Sequence, residues 1–286
     1  MNRHIYIIGA ALLFLFNISL KAQTAVSLFE LSDSLQVTEV VSDLPDMTAR
    51  LGHMGPAVEN SHMALRMLFN DSGAIDVYSK SGRGMELLSY LWHPTEGQQD
   101  TLSVGCDAYA VANTLGLGGV ALWDGNGMVA LKATKGRTAR VGSTKKGSYA
   151  ELVSYGVAYE GEMLDISVRI DVAEKTREAQ ITVTELSGRK VSFVTGVNYH
   201  SGQKISTGEG YISVWGPHKG EDIINPFAIG AGLFYPAKVF PTVEKTDDMV
   251  MIISVPTDGF KTKIISSSTK EAELNSAKRF EAYMTK

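Results

Sequence analysis

The sequence predicts an all-β protein, a large antiparallel β-sandwich of the supersandwich or mutarotase-like type with a short C-terminal helix. Apolar and polar residues alternate with period two over much of the chain, as half-buried strands require. In residues 164–172, for example, every second side chain is aliphatic. Long helical patterns do not separate the strands, and no linker rich in Pro, Ser or charge divides the chain. Residues 23–286 are therefore expected to form one domain.

The first residues have the pattern of a secretory signal peptide. Arg3 and His4 precede an apolar run that ends near Leu20, and the small residue Ala22 precedes Gln23. The run is about 16 residues long, shorter than the roughly 20 of a spanning helix, and it contains no cysteine that could carry a lipid. We expect residues 1–22 to be a cleaved signal peptide, which would make the mature chain periplasmic or secreted, without a membrane anchor.

The strands predicted after the signal are separated by turn sequences. Asn70-Asp71-Ser72-Gly73 and Asp124-Gly125-Asn126 are typical hairpin connections. The four strands from residue 148 to residue 197 are expected to form an antiparallel meander. In chain order the predicted strands are 62–69, 74–79, 118–123, 127–131, 148–159, 162–172, 180–186, 190–197, 211–215, 227–235, 249–255 and 262–266.

Two segments have a helical pattern, residues 104–115 and residues 268–285. In the second segment, Leu274, Ala277, Phe280 and Tyr283 recur at helical spacing and form one apolar stripe.

Composition excludes several classes of function. The formal net charge is −4, and no basic run suggests a nucleic-acid partner. The single cysteine, Cys106, cannot form an internal disulfide, and a buried structural thiol is expected there rather than a catalytic one. The six histidines have no close ligand spacing, so we expect no metal or other cofactor. No Gly-x-Ser-x-Gly motif of a serine esterase is present.

The first cluster of candidate site residues precedes and enters the strand at 62–69. Because side chains alternate along a strand, His62 and Arg66 are expected on one face, with Glu59 and Asn60 at its rim. A carboxylate, an imidazole and a guanidinium on one face suggest a site. A solvated face carrying ion pairs is the alternative.

Further candidates lie in two other places. Trp92, His93 and Asp107 fall in a region between strands, where an indole could stack on a sugar ring, although Trp92 could equally cap the core. Tyr199, His200, Trp215, His218 and Tyr235 stand near the ends of predicted strands. The register of these strands is not fixed by the sequence.

The chain resembles the uncharacterised DUF4861 family. The resemblance lies in Gly55-Pro56-Ala57-Val58-Glu59-Asn60, in Gly105-Cys106-Asp107-Ala108-Tyr109 and in Leu122-Trp123-Asp124-Gly125, and it covers roughly residues 35 to 280. Members are typically exported proteins of Bacteroidetes-type bacteria, found among polysaccharide-degrading systems, often for uronate-containing glycans. The resemblance therefore implies an oligosaccharide or polysaccharide ligand.

The leading hypothesis is a lyase or dehydratase that acts by β-elimination on uronic-acid-containing oligosaccharides. Such a reaction needs a base, a group that holds the uronate carboxylate, and an acid for the leaving oxygen. The candidates are His62 or His200 as base, Arg66 as carboxylate partner, and Tyr199 or Tyr235 as acid. The residues expected to bind substrate are Glu59, Asn60, Trp92, His93, Asp107, Trp215, His218 and Tyr235.

Three alternatives remain open. The first is a carbohydrate-binding protein without catalytic activity, and the second is a mutarotase-like or epimerase-like enzyme that uses a His and a Glu. The third is a glycoside hydrolase, which needs two carboxylates; Glu59 with Asp76 or Asp107 could supply them.

Overall fold

A computed structural model describes residues 24–102, 104–219 and 226–286. The predicted signal peptide lies outside the described residues. The strands β1 to β19 are Thr24–Ser27, Glu39–Ser42, Ala57–Asn60, Ala64–Met67, Ile75–Ser79, Cys106–Asp107, Leu117–Trp123, Met128–Val129, Arg137–Ser143, Gly147–Tyr159, Glu162–Ala173, Ala179–Glu185, Phe193–Asn198, Lys204–Gly208, Tyr211–Pro217, Ala228–Phe234, Thr242–Lys245, Met249–Ile253 and Gly259–Ser268. The helices α1 to α3 are Leu87–Tyr90, Glu96–Leu102 and Ala277–Met284, and Gly52–Met54 forms a 3-10 turn.

The strands form three antiparallel sheets. The large sheet has nine strands in the order β14-β15-β16-β19-β12-β11-β10-β9-β2. Two smaller sheets have the orders β1-β3-β4-β5-β6 and β17-β18-β13-β7-β8. A parallel bridge between Ile75 and Gly116 connects the two small sheets, and both contact the large one. The predicted all-β sandwich with a short C-terminal helix is confirmed.

The core lies between the large sheet and the two small ones. Along β11 the alternate residues Leu164, Ile166, Val168, Ile170 and Val172 are buried, as their period predicts. They pack in one cluster with Val58, Leu65 and Val77 of the first small sheet and with Phe193 of the second. Because the core uses the inner face of each sheet, the outer face of β3, β4 and β5 is left to be covered by other segments.

The predicted meander is correct for three strands and wrong for the fourth. β10, β11 and β12 are neighbours in that order. β13, however, lies in the second small sheet between β18 and β7. β19 occupies the edge of β12 where the fourth strand of a meander would pair, and β13 is buried on both faces, as a central strand is.

The helical predictions also need correction. Residues 104–115 begin with the short strand β6, where Cys106 pairs with Ser79, and continue in turns. In the C-terminal segment β19 extends to Ser268, and helix α3 begins only at Ala277. Ser276 caps α3 by accepting a hydrogen bond from the backbone N–H of Arg279. α1 and α2 were not predicted. Within the described residues, no helix has both the length and the apolar character needed to cross a membrane.

Candidate functional site

A cavity of about 860 Å³ opens at the outer face of the first small sheet. It lies beside β4, β5 and β6, where Arg66 and Asp76 are directly opposite each other in the antiparallel register. Residues that follow α1 and β6 complete its walls. Among the residues that line it are Met54, Arg66, Asp76, His93, Cys106, Asp107, Tyr109, Ala112 and Lys219.

Arg66 is buried at this cavity and is held on several sides. Its Nε and Nη2 donate to one carboxylate oxygen of Asp76 at 2.8 and 2.6 Å, and Nη2 also donates to Asp107 at 3.0 Å. The guanidinium lies 4.4 Å from the ring centroid of Trp92. Its Nη1 is buried and has no hydrogen-bond partner within the described residues. One donor group of this side chain is therefore left over for a ligand or a water molecule.

Tyr109 contributes a second buried donor to the same cavity. The residue is 1% exposed, and among the residues described its hydroxyl has no hydrogen-bond partner. Burial, and then the carboxylate of Asp76, raise the pKa of Tyr109 well above its ordinary value. The phenol is therefore protonated at neutral pH and able to donate a hydrogen bond. Burial also raises the pKa of Asp76, and the neighbouring Arg66 guanidinium opposes that shift.

Two histidine rings lie behind Tyr109. The centroid of the His218 ring is 4.2 Å from that of Tyr109 and 4.6 Å from that of His200. The carbonyl of Ala110 accepts hydrogen bonds from Asn198 Nδ2 at 2.7 Å, His200 Nε2 at 3.2 Å and His218 Nδ1 at 3.4 Å. Burial lowers the pKa of His218 to about 3. The two imidazole rings hold the Tyr109 ring from behind, and neither of them lines the cavity.

Strained backbone surrounds the cavity. Non-glycine residues have positive φ angles at His53 (55°), Met54 (59°), Leu91 (46°), Trp92 (74°) and Ala112 (50°). Met54 and Ala112 line the cavity. Leu91 and Trp92 directly precede His93, which also lines it. The ring of His53 packs on that of Trp92, with 6.1 Å between the ring centroids. Such conformations are costly and concentrate where a site requires a particular geometry.

Glu59 and Asn60 are not at a rim, as the sequence suggested, but inside the protein. Glu59 is 0% exposed; it pairs with buried Lys80 and accepts hydrogen bonds from the backbone N–H groups of Glu86 and Leu87. Asn60 accepts from the N–H groups of His62 and Met63 and donates to the carbonyls of Ala173, which ends β11, and Thr176, which follows it. Both side chains hold segments of the chain in place.

His62 does not share the concave face of Arg66. β4 begins at Ala64, and residues 60–63 form a turn in which Asn60 N–H bonds to the carbonyl of Met63. His62 therefore lies off the strand and lines a separate cavity of about 40 Å³ together with Arg83 and Arg177. Burial, Arg177 and Arg83 lower the pKa of His62 to about 4. The expected single face of Glu59, His62 and Arg66 is wrong.

The predicted aromatic residues are distributed over the molecule. Trp92 is 1% exposed and supports Arg66, so it offers no free face to a sugar. Trp215 packs on Phe280 of α3 at 5.6 Å, and the hydroxyl of Tyr199 donates to the carbonyl of Thr246. Tyr235 lines another groove. Of the predicted site residues, the main cavity brings together Arg66, His93 and Asp107.

Sequence reasoning gave no site role to Tyr109 or Lys219, and it considered Asp76 only as one carboxylate of a hydrolase. A signal was available for two of them. Asp76 lies two residues before Tyr78 on β5, so both side chains are on the same face of the sheet, and Asp76 pairs with Arg66. Tyr109 likewise lies two residues after Asp107. No set of three or more His, Cys, Asp or Glu residues in the described ranges is arranged to hold a metal ion.

Comparisons with other proteins give a family match. A family model described as "Domain of unknown function (DUF4861)" matches residues 19–286. A comparison with curated proteins finds no match. Among solved structures, one described as 4-alpha-glucanotransferase from Thermococcus litoralis has a TM-score of 0.35 and 10% identity, and the match covers 82% of this chain and 42% of that chain. This chain thus spans less than half the length of that structure.

Proposed function

The chain belongs to the DUF4861 family, and from this premise we propose that it acts by β-elimination on uronic-acid-containing oligosaccharides, as a lyase or dehydratase. The cavity around Arg66 is the proposed active site. The N-terminal sequence pattern supports action outside the cytoplasm, in the periplasm or beyond.

One observation carries this proposal. Arg66 Nη1 and the Tyr109 hydroxyl are buried donors without hydrogen-bond partners in the described part of the chain, and both residues line one cavity. A buried donor without a partner costs roughly 1–3 kcal/mol. A uronate whose carboxylate accepts from Arg66 and whose leaving oxygen accepts from Tyr109 would satisfy both donors. The volume of about 860 Å³ suits a ligand of one or a few sugar rings.

The chemistry assigns a role to each group. A base removes the proton from the carbon beside the uronate carboxylate, and that electron pair forms the double bond as the bond to the leaving oxygen breaks. Arg66 and Lys219 are cations that stabilise the charge that develops on the carboxylate. Tyr109 is a protonated phenol suited to donate a proton to the leaving oxygen, and the exposed imidazole of His93 is the proposed base.

The roles first considered for His62, His200, Tyr199 and Tyr235 are not part of this proposal. None of the four residues lines the cavity around Arg66. In the proposal, Trp92 only supports the guanidinium of Arg66. Asp107 is the second carboxylate partner of Arg66, after Asp76.

The test is the ultraviolet absorbance of an unsaturated uronate. Incubation of the protein with a panel of uronate oligosaccharides is expected to raise this absorbance steadily with at least one member. Mass spectrometry then separates a dehydratase, whose product is lighter than the substrate by one water, from a lyase, which yields two shorter chains. Absence of any rise across the panel, together with binding measured by calorimetry, would instead support a carbohydrate-binding protein.

A specific observation favours a second candidate, glycoside hydrolysis. Carboxylate oxygens of Asp76 and Asp107 lie 2.6 and 3.0 Å from the same Nη2 of Arg66, so two carboxylates lie near each other at the cavity. Retaining glycosidases use a pair of carboxylates about 5–5.5 Å apart. Hydrolysis would release new reducing ends without any rise in absorbance, and the same incubations distinguish the two reactions.

A further inference from the structure

A second groove, of about 590 Å³, lies on the nine-stranded sheet beside helix α3. It shares no lining residue with the cavity around Arg66. Three neighbouring strands form its base, because Lys263 of β19 stands opposite Gln180 of β12 on one side and Phe234 of β16 on the other. We call it the lysine groove and define it by Gln180, Phe234, Tyr235, Lys261, Lys263 and Tyr283.

The charge of the lysine groove favours an anion. Lys261 and Lys263 are two residues apart on β19 and are both exposed, so their side chains leave the same face of the sheet. Neither makes an ion pair with a carboxylate in the ranges the structure describes. Glu178 also lines the groove, and its carboxylate accepts a hydrogen bond from the hydroxyl of Tyr283 and makes no contact with either lysine that the structure shows. The two ammonium groups are therefore available to a ligand.

The other walls suit a sugar. Phe234 and Tyr283 are half-buried rings that pack in the cluster around Phe280 and Met284 of α3, so their positions are fixed. Tyr235 lies beside them, packed on Phe240 with ring centroids 6.1 Å apart. Rigid rings beside a few polar groups are the usual lining of a carbohydrate site, since sugar rings present apolar C–H faces.

We propose that the lysine groove is a second binding surface for acidic oligosaccharide chains, separate from the catalytic cavity. Its occupant is a carboxylated sugar chain, because cations flank aromatic rings in one open groove. The class of ligand rests on the proposed function. A surface of this kind raises the local concentration of a long substrate near the cavity.

Lysine footprinting tests this inference directly. The protein is acetylated briefly with and without hexagalacturonate, and peptide mass spectrometry measures the extent at each lysine. Lys261 and Lys263 are expected to react at least fivefold more slowly in the presence of the hexamer, whereas the exposed turn residues Lys145 and Lys146 react equally. Equal reaction at Lys261 and Lys263 in both samples would overturn the inference, as would equal protection by the neutral hexamer cellohexaose or by hexaglutamate.

Substitution gives a second readout. The variant Lys261→Ala/Lys263→Ala is expected to bind hexagalacturonate roughly fivefold or more weakly at low salt, whereas Lys145→Ala/Lys146→Ala, with the same loss of charge, binds as the wild type does. Unchanged affinity of the first variant would contradict the inference. Protection of the two lysines without any absorbance rise would leave the groove in place and reject the elimination reaction instead.

Discussion

At the scale of single residues, Arg66 organises the candidate site because it holds two carboxylates and an indole at once. Asp76 and Asp107 bind its Nη2, and Trp92 lies under its guanidinium. The sequence predicted Arg66 from its place on a strand face, and His93 and Asp107 from their place in the region between strands that also holds Trp92. It misplaced Glu59 because a buried ion pair with Lys80, which is 21 residues away, leaves no signature in a local pattern.

Loss of the Arg66 guanidinium is expected to destabilise the protein strongly. In the variant Arg66→Leu the buried carboxylate of Asp76 loses its ion-pair partner, so the free energy of unfolding should fall by roughly 3–5 kcal/mol. Chemical denaturation of the variant and the wild type measures this difference in the free energy of unfolding. The control is Arg140→Leu, whose pair with Glu39 is solvent-exposed and is expected to contribute less than about 1 kcal/mol. Equal losses in the two variants would contradict the role given to Arg66.

The variant Tyr109→Phe separates function from stability. Its hydroxyl has no partner in the described chain, so removal should leave the free energy of unfolding unchanged or slightly higher. The rate of elimination should fall by roughly 100-fold or more, as expected for loss of a general acid. Initial rates of absorbance change and a denaturation curve measure both. A variant with the wild-type rate would exclude Tyr109 as the acid.

At the scale of elements, the segment 82–92, which we call the cover segment, completes the site. It packs Leu87 and Trp92 on Ala57 and Ala64, the small residues of the outer sheet face, and Glu59 binds the backbone of Glu86 and Leu87. Period-two patterns predicted β10, β11 and β12 well. The cover segment has no such period, because strained turns and buried polar contacts, not amphipathic periodicity, determine its path.

The cover segment is expected to depend on the Glu59 carboxylate. In Glu59→Gln the buried Lys80 ammonium loses its charged partner, and one of the two acceptor oxygens for backbone N–H groups becomes a donor. Amide hydrogen exchange at residues 84–92 should therefore accelerate by tenfold or more, with exchange in β10 and β11 changed much less. Exchange of the cover segment at the wild-type rate would show that other contacts hold it.

At the scale of the whole molecule, the two small sheets and the large sheet place the cavity and the lysine groove on different surfaces. Alternating hydrophobicity predicted that sheets stack, since it reports which face of each strand is buried. It could not predict that β13 leaves the meander for the second small sheet, because the choice of partner strand depends on contacts far away in sequence, here with Val120 and Met251.

The contribution of His218 to the stability of the molecule should fall as acid is added. Burial lowers the folded-state pKa of His218 to about 3 from an ordinary 6.5, so below pH 6.5 the unfolded chain binds a proton that the folded chain does not. The part of the free energy of unfolding that depends on neutral His218 is fully present above pH 6.5. It is lost as pH falls toward 3, by about 1.4 kcal/mol per pH unit.

The variant His218→Phe isolates this effect. Relative to its value at pH 7.5, the free energy of unfolding should decrease less in the variant than in the wild type as pH falls from 6.5 to 4. Urea denaturation at a series of pH values measures the difference. Parallel curves for the two proteins would show that His218 titrates alike in the folded and unfolded states.

The most direct test of the central claim is a crystal structure of Tyr109→Phe briefly soaked with a uronate trisaccharide, since this variant is expected to bind substrate and to convert it roughly 100-fold more slowly than the wild type. We predict density for the sugar in the cavity, with its carboxylate within hydrogen-bonding distance of the Arg66 guanidinium. A trisaccharide bound only elsewhere, with the cavity around Arg66 holding solvent, would contradict the account.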